Sequence, residues 1–418
     1  MIDQPIDVCI HSEIGRLNAV LLHRPGSEIE AMTPANAHKA LYSDILNGAV
    51  ADWEYSFFES TLKRLTEVYY VNELLAVILK DAKLKESLVR KSCEMDNCLF
   101  IADELLDKDN VALATALIEG FRFRPSRDPK EFARKRYLLQ PLYNLFFTRD
   151  ACSCVNEGVL INSMSFEVRR RESLIYRAIF EHYFGAKSYS AESENKKART
   201  EGGDVQIVRN DLLCVGNGIR TNKEGIEGLL RHYGKGRERY AIIAEELPEA
   251  PDSFIHLDMV FTFLGPHACM AFEPMLSKKG IFSGKHTMLH IIEGGEKITH
   301  IEYANILEAL KSEGIDLQPV LCGGGDDWWA EREQWHSGAN FFSFGPNHVL
   351  GYRRNRYTIE ALAKAGFEVL NAEDVCNAKV DPWNYNKAVV TFAASELPRG
   401  GGGARCMTCP INRDEVSY

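Results

Sequence analysis

The chain opens on an apolar run, Leu17-Asn18-Ala19-Val20-Leu21-Leu22, that ends abruptly at His23-Arg24-Pro25-Gly26. A short apolar stretch closed by breakers predicts a buried strand. From about Trp53 to Arg136 the pattern lengthens. Leu62, Leu65, Leu74, Leu75, Val77, Ile78, Leu84, Leu88, Val89, Leu113, Ala116 and Leu117 recur at helical spacing with almost no Gly or Pro. Part of this stretch therefore predicts a helical insertion, which leaves through a charged bridge from Phe121 to Arg136 containing Pro125 and Pro129.

Beyond the bridge the chain repeats itself. Asp150 to Asn162, Asp204 to Gly216, Asp258 to Phe272 and Asn340 to Tyr352 each read as two short strands around an Asn/Gly/Pro/Asp turn. The first three open with aspartate at a constant interval of 54 residues. Most lead into helical patterns: Glu172 to Tyr183, Lys223 to His232, Ile301 to Ser312 and Asn355 to Ala365. A hairpin-plus-helix unit of this size cannot bury its sheet alone and must stack on its neighbours, which predicts one ring-like α/β array rather than several independent domains. Cyclic stacking would bring the hairpin openings to one centre.

Composition narrows the classes. With 418 residues, 45% of them hydrophobic and 26% charged, the chain has ordinary globular composition, which excludes disordered and collagen-like structure. Its 49 Lys and Arg against 59 Asp and Glu give a net charge of −10, so nucleic acid and anionic membrane surfaces are not expected partners. No apolar run approaches the ~18 residues of a membrane span, and Met1 to Asp7 has neither the basic start nor the apolar core of a signal segment. A cytoplasmic location is expected. Eleven cysteines, an odd number spread from Cys9 to Cys409, point to reduced thiols rather than a disulfide framework.

Four polar clusters stand at the hairpin openings or near the C-terminus: Asn144 to Asp150, Glu201-Gly202-Gly203-Asp204, His256-Leu257-Asp258, and Arg399 to Met407. Residues two apart in a strand face the same side, so His256 and Asp258 point into one space and set a base beside an acid. Asp150 and Asp258 hold equivalent places in their repeats, so a ring brings two carboxylates together. A planar cation with paired N–H donors, such as a guanidinium, matches that pair. Gly400 to Gly403 let the backbone approach a ligand closely, and Cys406 follows beside Arg405 and main-chain N–H groups that would favour its thiolate.

Each cluster has a plainer alternative when taken singly. A histidine near a strand start is more often a structural hydrogen-bonder, Glu-Gly-Gly-Asp can be a tight turn, and a glycine tetrad can be a linker. Cys406 and Cys409 also form a CxxC pair, open to zinc or dithiol chemistry. However, neither Cys93/Cys98 nor Cys152/Cys154 is convincingly spaced as a second ligand pair, and Pro410 follows where a redox helix would begin. Gly400 to Arg405 fails the GxGxxG pattern and no Gly-Lys-Ser/Thr element occurs, so no nucleotide cofactor is supported.

These clusters, together with His11-Ser12-Glu13, Ala330-Glu331-Arg332-Glu333-Gln334-Trp335 and Cys406-Met407-Thr408-Cys409-Pro410, resemble the bacterial arginine deiminase family nearly end to end, in order and in spacing. The resemblance implies a five-bladed, pseudo-symmetric α/β propeller of ββαβ repeats over residues 1–418, with a helical bundle inserted at about 73–138. It implies hydrolysis of L-arginine to L-citrulline and ammonia without metal or organic cofactor, by a homo-oligomer, dimer or tetramer. Residue by residue it makes Cys406 the nucleophile, His256 the general acid and base, and Asp150, Glu201 and Asp258 the acids that bind the guanidinium. Asn144, Arg169 and Arg220 would hold the amino-acid end, with Phe147 packed on the side chain. Two positions depart from the pattern: Gly401 stands where some members carry Arg, and Tyr143 where many carry Pro. An amidinotransferase would share the same covalent thiouronium but need an amine acceptor. A deiminase of agmatine would have no carboxylate for Arg169 and Arg220 to bind. A silent, partner-binding propeller is opposed by the presence of all five of Cys406, His256, Glu201, Asp150 and Asp258.

Overall fold

The computed structural model describes residues 5–34, 36–122 and 137–418. The predicted N-terminal strand spans Leu17–Leu22 and centres a three-stranded sheet, parallel to Glu67–Tyr70 on one side and antiparallel to Cys409–Arg413 on the other. The two ends of the chain thus share one sheet. Helix Gly48–Leu65 bridges the parallel pair and starts where the Asn47 side chain accepts the Val50 N–H.

The same unit, an antiparallel pair whose second strand passes through a helix to a parallel third, recurs along the chain. The first hairpin, Cys152–Val155 with Gly158–Ile161, continues through Glu167–His182 to Lys187–Tyr189. The second, Val205–Arg209 with Leu212–Asn217, continues through Lys223–Gly234 to Arg239–Glu246. The third pairs Phe261–Gly265 with Ala268–Ala271 and ends parallel to Gln318–Leu321, reached after helix Ile306–Ser312. The fourth, Phe342–Gly345 with His348–Tyr352, runs parallel to Ala388–Phe392, which also pairs with Glu368–Asn371 beyond helix Arg356–Lys364. Three of the four hairpins fall inside the stretches their turn residues predicted, and the second runs one residue past Gly216, to Asn217. Asn156 and Asn347 occupy the left-handed region at the first and fourth turns, a conformation asparagine tolerates through its short polar side chain.

Two sequence expectations need correction. Helix Glu167–His182 begins five residues before Glu172. Ile301 is not helical: it lies in strand Lys297–Tyr303, which pairs with Thr287–Glu293 and extends the second hairpin's sheet. Gly294 and Gly295, both left-handed, make that turn. The helix starts only at Ile306, where Asn305 accepts the Leu307 and Glu308 N–H groups.

The helical stretch that begins near Trp53 divides into two parts. Gly48–Leu65 buries Phe58 and Leu62 with Val375 and Phe392. Val71–Ile78, Ala82–Met95, Ala102–Leu106 and Asn110–Glu119 bury Leu74, Leu88, Leu113 and Leu117 in a different cluster, with Ile175 and Ile179 of Glu167–His182. Each such buried aliphatic side chain contributes about 1.5–3 kcal/mol. The charged exit bridge lies, past Phe121–Arg122, outside the described residues. Among the described residues no helix is long and apolar enough to cross a membrane, and all eleven cysteines are free thiols.

Candidate active site

The hairpin openings meet in a closed circuit of hydrogen bonds. The Arg149 N–H donates to the Cys406 carbonyl (3.1 Å), the Gly202 N–H to the Asp150 carbonyl (2.9 Å), and the Asp258 N–H to the Gly203 carbonyl (3.2 Å). Asn340 Nδ2 donates to the Asp258 carbonyl (3.1 Å), and the Cys406 N–H returns to Asn340 Oδ1 (3.3 Å). Buried polar groups must find partners, and here the repeats partner one another.

This packing explains the glycines. A Cβ on Gly202 would lie 1.9 Å from the Arg149 carbonyl oxygen, and one on Gly203 would lie 2.4 Å from His256 Nδ1. In the C-terminal tetrad, a Cβ on Gly402 would lie 2.4 Å from Phe147 Cε1, and one on Gly403 would lie 2.6 Å from Asn340 Oδ1. Gly401 differs: its φ is +88° and a Cβ there would meet nothing within 4 Å. Tyr143, the other departure, is buried and tied in, its carbonyl accepting from the Tyr42 hydroxyl at 2.7 Å.

A cavity of about 230 Å³ opens over this junction, and Asn144, Phe147, Asp150, Arg169, Arg220, His256 and Cys406 all line it. Glu201 and Asp258 are fully buried and stand behind its wall. Glu201 Oε2 holds His256 Nε2 at 3.0 Å and accepts from Arg220 Nη1 at 3.1 Å, while Oε1 accepts the Ser165 N–H. Burial alone would raise the Glu201 carboxyl, but Arg220 and His256 hold it down at about 2. Burial would likewise lower His256. Asp150, whose Oδ1 is 3.9 Å from Nδ1, and the hydrogen-bonded Glu201 overrule it, with Asp204, and raise the imidazole to about 9. The ring therefore carries a proton at neutral pH.

The Cys406 thiol is pushed well up, first by burial and then by Asp258 and Asp150. Its sulfur lies 3.9 and 3.7 Å from the two Asp258 oxygens. The Gly403 backbone and the Arg405 charge pull the thiol down, as expected, but less than burial and the carboxylates push it up. The Arg405 guanidinium makes its own bonds elsewhere: Nε and Nη2 pair with Glu13 at 3.1 and 3.0 Å, and Nη1 with Asp258 at 2.8 Å. Arg169 is also engaged, through Nη1 to Asp150 Oδ2 at 2.5 Å and through Nε and Nη2 to Glu172. Asp150 Oδ1 and Arg220 Nε are buried with no hydrogen-bond partner among the described residues. The Arg220 guanidinium lies over the Phe166 ring, 4.6 Å from its centroid.

His256 and Asp258 are not alternate residues of a strand. The chain turns through Leu257–Met259, with the Met259 N–H on the His256 carbonyl, and extends only from Phe261. Side chains from other elements take up that backbone. Asp204 accepts the Leu257 N–H at 2.9 Å, and Gln334 donates to the Ser253 and Met259 carbonyls at 2.7 and 3.1 Å. Asp204, Glu172, Gln334 and Asn340 were not among the candidate residues. Asp204 and Asn340 carried a signal, since both open a hairpin of the repeat. Glu172 lies one helical turn from Arg169, as an ion-pair partner would. Among the described residues no group of three or more His, Cys, Asp or Glu side chains is arranged to hold a metal ion. Cys409, the other half of the CxxC pair, faces away from the cavity, its sulfur 3.6 Å from that of Cys152.

A site with one thiol, one protonated imidazole, carboxylates and arginines around one small cavity can attack an electrophilic carbon and protonate a leaving group. The arginine deiminase family model matches residues 38–413. The arginine deiminase of Listeria innocua is 32% identical over 97% of this chain and 98% of its own length. That of Oenococcus oeni is 29% identical over 100% of both. Among solved structures, the N-terminal domain of ArgZ, an arginine dihydrolase of cyanobacteria in complex with product, superposes with a TM-score of 0.53 at 13% identity, covering 94% of this chain and 97% of that one. The dimethylarginine dimethylaminohydrolase of Pseudomonas aeruginosa superposes at 0.50 with 14% identity, covering 94% and 99%. At these identities the likeness is one of fold.

Proposed function

The chain belongs to the arginine deiminase family, and from that premise we propose that it hydrolyses L-arginine to L-citrulline and ammonia through a covalent intermediate on Cys406. The observation that carries this reading is the shared cavity, in which the Cys406 thiol, the protonated His256 and the unpartnered Asp150 oxygen face one space. The repeated sheet units and the closed circuit of their openings support a five-bladed α/β propeller, with the helices of 73–138 as an inserted bundle. The free thiols fit a reducing cytoplasm.

The substrate guanidinium docks on Asp150 Oδ1, the oxygen that Arg169 leaves open, with Asp258 beside the sulfur as the second carboxylate. Arg220 takes the α-carboxylate with its open Nε, together with Arg169 and Asn144, and Phe147 packs on the aliphatic chain. In the free site the thiol is held up by burial and two carboxylates, so the thiolate forms as the cation settles between those acids and its proton is released. The thiolate attacks the guanidinium carbon and a C–S bond forms. His256 gives its proton to the departing nitrogen, the C–N bond breaks, and ammonia leaves a thiouronium on Cys406. Neutral His256 then takes a proton from water as its oxygen adds to the same carbon. The C–S bond breaks with its electron pair returning to sulfur, and loss of the remaining O–H proton gives citrulline. Glu201 acts through His256 as a positioning residue, fixing Nε2 and so turning Nδ1 toward Asp150.

Incubation with L-arginine, and separately with agmatine, tests the reading, with Cys406→Ala as control. Equal amounts of citrulline and ammonia from arginine alone, abolished by the substitution, are expected. No product from arginine, or equal turnover of agmatine, would contradict it.

A further inference from the structure

We propose that Asn340 is a further catalytic residue of this site, the amide whose N–H stabilises the Cys406 thiolate as it forms. The proposal rests on Cys406 being the nucleophile in the reading above. Asn340 Nδ2 lies 3.2 Å from Cys406 Sγ, nearer than either Asp258 oxygen, and Asn340 is buried. Among the described residues it is the one side chain that donates to this sulfur. Of the charged groups close by, Asp258 and Asp150 repel the thiolate, and Arg405, the one that favours it, has its guanidinium paired with Glu13 and Asp258 rather than with the sulfur.

The orientation of the amide follows from its neighbours. Oδ1 accepts the N–H groups of Arg405 (2.9 Å) and Cys406 (3.3 Å), and Nδ2 donates to the Asp258 carbonyl (3.1 Å) as well as to sulfur. A flipped amide would set an acceptor against the Asp258 carbonyl and N–H donors against N–H donors, so Nδ2 must face the sulfur. An N–H donated to an anionic sulfur favours the charged form, while the same side chain fixes the backbone that carries the nucleophile. The repeat makes the point by contrast. Three hairpins open with aspartate and the fourth opens with asparagine. A carboxylate in its place would be a further negative charge against the sulfur, whereas the amide supplies a donor.

The test is the pH dependence of Cys406 alkylation by iodoacetamide, resolved from Cys409 by tandem mass spectrometry, in wild type, Asn340→Ala and Asn340→Asp, alongside kcat and KM for arginine. A hydrogen bond to a charged group is worth a factor of about ten to a hundred. In Asn340→Ala, alkylation at neutral pH should slow by that factor, and kcat should fall with it while KM changes little. Asn340→Asp keeps the acceptor for the Arg405 and Cys406 N–H groups, though not the donor to the Asp258 carbonyl, and it should be slower still because a carboxylate replaces the N–H at the sulfur. A thiol titration unchanged in both variants overturns the proposal even if kcat falls, because it leaves Asn340 a purely structural role. Wild-type alkylation in Asn340→Asp alone also overturns it. If the wild-type protein releases no citrulline, the deiminase reading fails, and the alkylation comparison still decides the role of Asn340.

Discussion

Gly203→Ala tests the placement of the imidazole by contact alone, because Gly203 does not need a left-handed backbone. The added Cβ would stand 2.4 Å from His256 Nδ1, 2.6 Å from Cγ and 2.9 Å from Cβ. Ordinary contact begins near 3.4 Å, so the ring, only 1% exposed and packed except where it faces the cavity, must move by about 1 Å or push the backbone away. A shift of that size breaks the 3.0 Å bond to Glu201 and turns Nδ1 away from Asp150. Misplacement by ~1 Å costs about a hundredfold in rate, or close to 2.7 kcal/mol of barrier. KM, set by Arg220, Asn144 and Phe147, should change by less than about threefold, because none of these groups stabilises the transition state more than the bound substrate. Overpacking also costs about 1–3 kcal/mol of stability, so kcat is measured from citrulline release well below a melting midpoint determined for the same sample. A Gly203→Ala enzyme that keeps wild-type kcat would refute the claim that this contact sets the proton donor.

Glu201→Gln removes one of the charges that raise His256 to about 9, so the imidazole should titrate about one to two units lower and the alkaline limb of kcat should move down in pH; an unmoved limb would contradict the assignment. Arg220→Ala should raise KM for L-arginine about a hundredfold or more, by loss of a buried charge-assisted contact, and should lower kcat as well because Glu201 loses its partner; an unchanged KM for L-arginine would remove Arg220 from the carboxylate. Stability should peak in mildly acidic solution. Glu13 and Glu201 are held at about 2 against an ordinary 4.5, Glu13 chiefly by Arg405 once burial is overcome, so each contributes stability above pH 4.5 that is lost as pH falls toward 2. His256 is raised from 6.5 to about 9, so its contribution is complete below 6.5 and lost as pH rises through 9. Glu201 and His256 share one ion pair, so their contributions are not independent, and urea midpoints at pH 3, 6 and 9 that fail to peak at pH 6 would refute this account.

The repeat was legible because its turns are punctuated: Asn156, Asn347 and the regularly spaced aspartates mark each hairpin, and the strands between them are short and apolar. The end of strand Lys297–Tyr303 was joined to the helix that follows it, because the helical pattern was begun at Ile301, although Gly294-Gly295 between two alternating runs was the better signal. The cavity residues were legible as types near hairpin openings, but their pairing was not. That the Arg405 guanidinium makes its hydrogen bonds to Glu13 and Asp258 depends on Glu13 arriving from a segment 392 residues away. The meeting of His256 with Glu201 likewise comes from a turn enforced by Asp204 and Gln334, not from strand alternation. Local pattern reports which face a side chain prefers. It cannot report which distant partner will neutralise it.

The central claim is a thiouronium on Cys406, and rapid acid quenching of the protein during turnover of L-arginine tests it most directly. Mass analysis should find arginine less ammonia added to Cys406 during turnover, and no such adduct in Cys406→Ala. Label on Cys409, or citrulline formed at the wild-type rate by Cys406→Ala, would contradict the account.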